Sequence, residues 1–232
     1  MLTAGIDKAR SMLDRLVEEG ISWHMLSSKS ALNIIAAVYG FWIPKGRNRG
    51  IERIAILSKG HASLALYTWL TVMGLLREDE LESFSKIGSR LQAHPVRESV
   101  PGVVVSTGSL GQGLSIANGL ALAGKMDGVD REVLVIMGDG ELDEGQVWEA
   151  ASTSSSNGLD NVIVVIDRNG LQHTGPTEKV KVKEPLADKW RAFGWHVVEV
   201  DNDALRIIEA LERLAEVRGK PKAVIVRGAG IS

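Results

Sequence analysis

The sequence predicts an α/β fold in which a doubly wound, mainly parallel sheet carries helices on both faces. Three segments, residues 132–137, 162–167 and 197–200, are apolar almost throughout. Such runs are typical of strands that are buried on both faces of a parallel sheet. Segments with helical spacing separate them, and this alternation indicates an open parallel sheet. Ligands of such sheets bind beyond the carboxyl ends of the strands, so we expect the functional residues there.

The remaining elements follow from the same two periodicities. Apolar residues at helical spacing predict helices over residues 2–19, 28–39, 61–75, 113–125, 145–156, 184–193 and 203–217. Further strands are predicted at residues 53–57, 103–106 and 223–227. Because no Pro- or Ser-rich linker divides the chain, residues 1–232 are expected to form a single domain.

Composition argues against several classes of protein. The chain has 232 residues, no cysteine and a formal net charge of −2. Disulfides and Cys-based zinc sites are therefore excluded, and no basic excess indicates nucleic acid. No apolar run is long enough for a membrane span, and the charged N-terminus does not resemble a signal peptide. We expect a cytoplasmic protein with neither a nucleic-acid nor a membrane partner.

Two predicted strands end in residues that suit a hard metal ion. Asp139, between Gly138 and Gly140, follows the first of them, and Asn169 follows the next strand thirty residues further on. Each segment alone is a common turn. Together, a carboxylate and an amide oxygen at one edge of a sheet suit Mg²⁺ or Ca²⁺. Neither histidine nor cysteine adjoins these two residues, which argues against zinc at this position.

The run GDGELDEGQVWEA, followed by NVIVVIDRNGLQ, resembles the thiamine diphosphate motif and specifically the form found in transketolase. Three further segments resemble the family in the family's order. They are SKGHA at residues 58–62, HP at 94–95, and PG at 101–102 with TGSLGQG at 107–113. Four ordered motifs are far more specific than a single G-D-G. The resemblance extends from about residue 5 to the C-terminus.

The resemblance implies a site for thiamine diphosphate and Mg²⁺, with Ca²⁺ as an alternative metal. Its metal ligands would be Asp139, Asn169 and the backbone carbonyl of Leu171. The residues that it implies for cofactor binding are His61, Gly108, Leu110, Gly138, Asp139, Gly140, Glu144, Asn169 and His173. Two of these have an alternative role, because Glu144 could instead favour a helix dipole and His173 could be an exposed loop residue. A dinucleotide loop is disfavoured, because the spacing G-x-x-G-x-G differs from G-x-G-x-x-G.

Three histidines are implied to be catalytic. His61 and His94 match family histidines that face the cofactor diphosphate and the donor sugar. His24 also matches, although Trp23 precedes it where the family usually has glycine, and Lys29 departs from the pattern as well. Histidine can donate a hydrogen bond to phosphate or a substrate hydroxyl and can move protons near neutral pH.

The motifs all belong to the diphosphate-binding half of the family's site. We therefore expect the N-terminal subunit of a split, two-chain transketolase of the pentose phosphate pathway. It would move a two-carbon ketol unit from a ketose phosphate to an aldose phosphate. The expected partner is a C-terminal, pyrimidine-binding subunit, in an α2β2 heterotetramer. Two alternatives stay open: a component of another thiamine diphosphate enzyme of the superfamily with a different substrate, and a non-enzymatic remnant of the fold. The tail VIVRGAGIS is expected to lack a substrate-facing histidine that the family carries further on.

Overall fold

The structure, a computed structural model, describes residues 2–21 and 24–228. Its helices are α1 (Leu2–Glu18), α2 (Met25–Ala37), α3 (Ile43–Arg47), α4 (Ser63–Val72), α5 (Gln112–Asp127), α6 (Gly145–Ser156), α7 (Thr177–Val180), α8 (Leu186–Ala192) and α9 (Ala204–Leu214). Its strands are β1 (Glu52–Leu57), β2 (Arg131–Gly138), β3 (Val162–Arg168), β4 (Leu171–Gln172), β5 (Gly175–Pro176), β6 (His196–Asp201) and β7 (Lys222–Arg227).

Five of these strands form one parallel sheet in the order β1-β2-β3-β7-β6. The predicted α/β fold with a parallel sheet is thereby confirmed. Adjacent registers fix the relative heights of the strand ends: Gly138 of β2 lies opposite Asp167 of β3. The residue that follows β2 therefore lies beside the last residues of β3, which places the two predicted strand-end segments in one corner.

Both faces of the sheet are covered, which explains why its strands are apolar without alternation. On β2, Leu134 and Ile136 belong to the core shared with α1, α2, α4 and α9. Val133 and Val135, which point to the opposite face, belong to the core shared with α5, α6 and α8. Among the described residues, no helix has both the length and the apolar character needed to cross a bilayer.

The strand predicted at residues 103–106 is wrong. That segment folds back on the preceding turn, with Glu98 N–H donating to the Val103 carbonyl at 2.9 Å and Thr107 N–H to the Pro95 carbonyl at 3.1 Å. Val103 is buried in the core, whereas Val104 is exposed. Residues 103–106 thus contribute one buried side chain, that of Val103, to the core and do not pair with the sheet.

The small hairpin of β4 and β5 and the short helix α7 were not predicted from the sequence. Their backbone pairs Gln172 with Gly175, so the loop after β3 turns back sharply. These elements are too short to show a periodicity. They nevertheless shape the edge of the sheet at which the candidate site lies.

Helix α5 packs directly on the end of β1, and Gly113 permits the contact. A Cβ atom at Gly113 would lie 2.4 Å from Ser58 Oγ and 2.5 Å from Ser58 Cβ. Gly119, in the same helix, has no neighbour within 4 Å of such an atom. The two glycines therefore differ in packing but share a helical environment.

We expect Gly113→Ala to lower the free energy of unfolding by about 1–3 kcal/mol, because the methyl group overpacks the contact. Gly119→Ala, the matched control, should raise it by about 0.5–1 kcal/mol, because alanine is the better helix former. Urea denaturation of both variants measures the two changes. Equal effects in the two variants would contradict the packing described for Gly113.

Candidate active site

The polar residues predicted from the sequence lie at the carboxyl edge of the sheet. Strand β1 leads into Ser58 and Lys59, β2 into Asp139, and β3 ends in Asp167 and Arg168 before Asn169. Asp139, Asp167 and Lys59 are each at most 1% exposed. Ionisable groups this deeply buried require partners, and their partners define the site.

Asp139 is held by the loop that carries Asn169. Its Oδ2 atom accepts hydrogen bonds from Arg168 Nη1 at 2.7 Å and from Gly170 N–H at 2.8 Å. Its Oδ1 atom accepts from Gly140 N–H at 2.9 Å. The carboxylate is therefore oriented by both strand ends, with Oδ2 occupied and Oδ1 carrying one backbone contact.

Asn169 and Leu171 lie in the same corner. Asn169 Oδ1 accepts from Leu171 N–H at 3.0 Å, and Asn169 Nδ2 donates to Asp167 Oδ2 at 3.4 Å. Leu171 is 49% exposed. The structure thus brings the three predicted metal ligands together around one loop, where a carboxylate, an amide and a backbone carbonyl could offer oxygen atoms to one ion.

A buried ion pair stands behind this corner. Lys59 Nζ pairs with Asp167 Oδ2, and Ser30 Oγ donates to Asp167 Oδ1 at 2.6 Å. The pair connects the end of β1, the end of β3 and helix α2. Neither Lys59 nor Asp167 was identified as a site residue from the sequence, although each lies within a segment that resembles the family.

Arg168 is a second buried cation with several partners, and it was not predicted from the sequence. Its guanidinium is 1% exposed and is shared among the carboxylates of Asp139, Glu178 and Glu184. It also donates to Thr177 Oγ1 at 2.6 Å. One positive charge therefore serves three carboxylates. An arginine that ends an otherwise apolar strand was the signal available in the sequence.

Glu141, which was not identified as a site residue from the sequence, is buried and accepts several hydrogen bonds. It is 2% exposed and accepts from Ser58 Oγ, from Gly111 N–H at 2.9 Å and from Gly138 N–H at 3.2 Å. Burial raises the pKa of Glu141, and these hydrogen bonds oppose the rise. The side chain joins the ends of β1 and β2 to the glycine loop before α5.

Four histidines gather beside the strand ends. The rings of His24 and His61 lie 5.0 Å apart, and those of His24 and His173 lie 6.4 Å apart. A Cβ atom at Gly108 would lie 3.2 Å from the ring of His94, so the glycine loop and His94 are in close contact. The three predicted catalytic histidines and His173 thus belong to one cluster.

The surroundings of His24 and His61 favour the neutral form of these two side chains. Burial lowers the pKa of His61 to about 3, and Lys59, His24 and His94 lower it further. Burial also lowers the pKa of His24, with smaller contributions from His173, His94 and Lys59. A neutral imidazole both donates and accepts a hydrogen bond. The cluster can therefore bind hydroxyl groups and accept a proton.

The glycine loop comes close to the start of α6. Gly111 has a φ of +83°, and a Cβ atom there would lie 2.8 Å from Glu144 Cβ. Glu144 directly precedes α6, is exposed and makes no capping hydrogen bond with its side chain. It therefore contacts the loop predicted to lie beside the cofactor, while Leu110 is half-buried there. Both roles considered for Glu144 are compatible with this position.

The residues present fit a hard cation bound together with an anionic ligand. Three buried carboxylates, Asp139, Glu141 and Asp167, face two buried cations, Lys59 and Arg168. The backbone of Gly140 lies close to Gln172, because a Cβ atom at Gly140 would be 2.8 Å from Gln172 Cβ. Gln172 Oε1 and Thr107 Oγ1 are buried without a hydrogen-bond partner among the described residues. Oxygen donors, surplus negative charge and unpaired polar atoms are the features that such a site needs.

Some predicted features lie outside the described residues. Trp23, which precedes His24, is one of them, and residues 229–232 of the tail are the others. His24 itself takes a left-handed backbone conformation with a φ of 42° immediately before α2. The effect of the unusual Trp23 on the pocket therefore stays a prediction.

A parallel α/β domain with a glycine loop and hard-oxygen donors at its strand ends defines a class of cofactor-binding domain that holds phosphate groups. The chain belongs to the transketolase family, because the family model "Transketolase, thiamine diphosphate binding domain" matches residues 44–230. The prediction of the N-terminal part of a transketolase is thereby confirmed.

Three similar proteins place the chain more closely. It is 38% identical to an apulose-4-phosphate transketolase subunit of Phocaeicola vulgatus, over 97% of this chain and 83% of that protein. It is 39% identical to a 6-deoxy-6-sulfo-D-fructose transketolase subunit of a Clostridium species, over 90% and 78% respectively. The solved transketolase from Leishmania mexicana superposes with a TM-score of 0.79 at 28% identity, and the match covers 98% of this chain but 36% of that protein.

The depressed pKa of His61 predicts a pH dependence of stability. Between its usual pKa near 6.5 and about 3, the unfolded chain binds a proton that the folded chain does not. Stability should therefore fall as pH drops below 6.5. Replacing His61 with glutamine should reduce the slope of unfolding free energy against pH by up to about 1.4 kcal/mol per unit.

Urea titrations between pH 7 and pH 4.5 measure this slope. A slope in His61→Gln equal to that of the wild type would show that His61 titrates normally in the folded chain.

Proposed function

We propose that this chain is the diphosphate-binding subunit of a two-chain transketolase that transfers a two-carbon ketol unit between sugar phosphates. The observation that carries the proposal is the corner in which Asp139 and the Asn169 loop are joined by the 2.8 Å bond from Gly170 N–H. The family assignment and the relatives named as transketolase subunits support it. Residues 1–232 would form one domain.

In this proposal Mg²⁺ is held by Asp139 Oδ1, Asn169 Oδ1 and the carbonyl of Leu171. Ca²⁺ would suit the same oxygen ligands. Gly138, Gly140 and Gly108 leave room for backbone to approach the diphosphate, and Leu110 offers an apolar surface to its rings. When bound, thiamine diphosphate supplies the carbon–carbon bond chemistry, while the protein positions it and stabilises charge.

The histidine cluster would act on the substrate. Because His24 and His61 are held neutral, each can accept a hydrogen bond or a proton from a sugar hydroxyl. His94 lies against Gly108, so it would connect the glycine loop to the donor sugar. His173 extends the cluster through its contact with His24. His61 and His173 would also face the cofactor.

A partner subunit completes the site in this proposal. The chain spans 36% of the full-length transketolase from Leishmania mexicana but 83% of the transketolase subunit from Phocaeicola vulgatus. The two relatives named as transketolase subunits support an enzyme divided into two chains, of which the other would bind the aminopyrimidine. We propose an α2β2 assembly whose active sites lie between the chains. The lack of cysteine in the sequence suits a reducing cytoplasm.

Two classes of substrate are candidates. A role in the pentose phosphate pathway calls for ordinary ketose and aldose phosphates. The relatives are named for apulose-4-phosphate and for 6-deoxy-6-sulfo-D-fructose, which favours a specialised ketose as the second candidate. Steady-state assays of the assembled enzyme over ordinary, branched and sulfonated ketoses separate the two, since kcat/KM should be highest for the natural donor.

Reconstitution tests the proposed function as a whole. Co-expression with a pyrimidine-binding transketolase chain from the same organism should give a complex whose ketol transfer requires thiamine diphosphate and Mg²⁺. Each chain alone should be inactive, because neither carries the complete site. Full activity of this chain without a partner would contradict the proposal.

Asn169→Ala is the cleaner test of the metal site. Asp139 also balances buried Arg168, so its removal should destabilise the fold as well. At about 100 times its Kd, thiamine diphosphate with Mg²⁺ should stabilise the wild-type assembly by about 2.7 kcal/mol. Asn169→Ala should lose most of this in a thermal-shift titration, while Asn48→Ala, an exposed control, should keep it. Undiminished stabilisation of Asn169→Ala would remove Asn169 from the site.

A further inference from the structure

A second polar cavity lies at the opposite edge of the sheet, at the amino ends of β1, β2 and β7. Its volume is about 300 Å³, near the lower end of the range for small-molecule sites. Six cationic side chains contribute to its lining: Arg49, Arg53, Lys125, Arg131, Arg218 and Lys222. The transferase chemistry proposed for the other edge makes no use of any of them.

The charges of this cavity are not balanced. Three of the cations are paired: Arg53 with Glu132 at 2.7 Å, Lys125 with Asp160 at 2.6 Å, and Arg131 with Glu52 at 2.6 Å. The other three, Arg49, Arg218 and Lys222, have no carboxylate partner within the described part of the chain. Asp130 is the remaining acidic residue of the lining. A surplus of positive charge therefore faces the cavity.

Lys222 is the most informative of these residues. Its side chain is buried, with 1% of the residue exposed, and within residues 2–21 and 24–228 its ammonium group has no hydrogen-bond acceptor. Burial lowers the pKa of Lys222, and the nearby Arg218 and Lys125 lower it as well, while Glu132 and Asp160 raise it. The Lys222 side chain lines the cavity, so its ammonium group could pair there with the anionic oxygens of a ligand.

The same wall offers an unpaired acceptor. Asn161 donates through Nδ2 to the carbonyls of Ala121 and Arg131, both at 3.0 Å. Its Oδ1 atom is buried and has no donor among the described residues. Because Asn161 Oδ1 is buried, the groups that the cavity presents to a ligand are an ammonium donor and two exposed guanidinium groups. A ligand that matches the cavity needs anionic oxygens.

We propose that this cavity binds a small phosphate monoester. Lys222, Arg49 and Arg218 would contact the phosphate. A phosphate dianion with three outer oxygens suits three cations better than a carboxylate ligand does. Guanidinium groups bind phosphate through paired hydrogen bonds. The site lies roughly 20 Å from the proposed cofactor corner, the length of a six-residue strand, so it is separate from the site of ketol transfer.

Isothermal titration calorimetry of the purified chain with glycerol 3-phosphate, at constant ionic strength, tests the proposal. We expect saturable binding that Lys222→Met weakens about tenfold or more. Lys220 is exposed two residues away and does not line the cavity, so Lys220→Met should bind like the wild type. Arg218→Gln, an exposed substitution that leaves the buried wall intact, should also weaken binding and serves if Lys222→Met fails to fold.

Two further measurements identify the ligand and the place where it binds. Inorganic phosphate should compete, whereas acetate at the same ionic strength should not. His61→Gln, in the histidine cluster, should not change the affinity. The proposal is overturned if glycerol 3-phosphate gives no heat beyond that of chloride, if Lys222→Met and Arg218→Gln bind as tightly as the wild type, or if His61→Gln alone removes binding. The last result would place the phosphate at the other edge and leave the proposed function intact.

Discussion

Two buried cations at the carboxyl edge of the sheet, Lys59 and Arg168, position the carboxylates and loops of the candidate site. Lys59 holds Asp167, and Arg168 holds Asp139 together with Glu178 and Glu184. Breaking a buried pair by removal of one partner typically costs about 3–5 kcal/mol, because the other charge is left uncompensated. The loops after β1, β2 and β3 are therefore fixed relative to one another by charge as well as by backbone pairing.

This arrangement has consequences for the chemistry of the edge. The carboxylates that the cations hold are oriented, and oriented oxygens are what a divalent cation requires. The positive charge of Lys59 also contributes to the low pKa values of His24 and His61, although burial is the larger cause. Neutral imidazoles and a carboxylate-rich corner are thus two outcomes of the same packing. An anionic cofactor with a metal would be bound between them.

Much of the fold could be predicted from the sequence because its causes are local. Continuous apolar runs identified the central strands, and the end of each strand identified Asp139 and Asn169. The failure at residues 103–106 has a physical reason, because Val103 serves the core as a single buried side chain rather than as part of a strand.

Other parts of the site depend on contacts between distant segments. Lys59 meets Asp167 across 108 positions, and Glu141 meets Gly111 across 30. Which charged residues become buried partners is decided by strand register, which apolar periodicity does not specify. Sequence patterns that resemble a known family identified the histidines, but their gathering into one cluster with His173 needed the three-dimensional arrangement.

The most direct test of the account is a crystal structure of the assembled enzyme with thiamine diphosphate and Mn²⁺, which substitutes for Mg²⁺ and scatters anomalously. One anomalous peak is expected within coordination distance of Asp139 Oδ1, Asn169 Oδ1 and the Leu171 carbonyl. Arg168 should still hold Asp139 Oδ2. A peak elsewhere, or a diphosphate bound without a metal at this corner, would contradict the central claim.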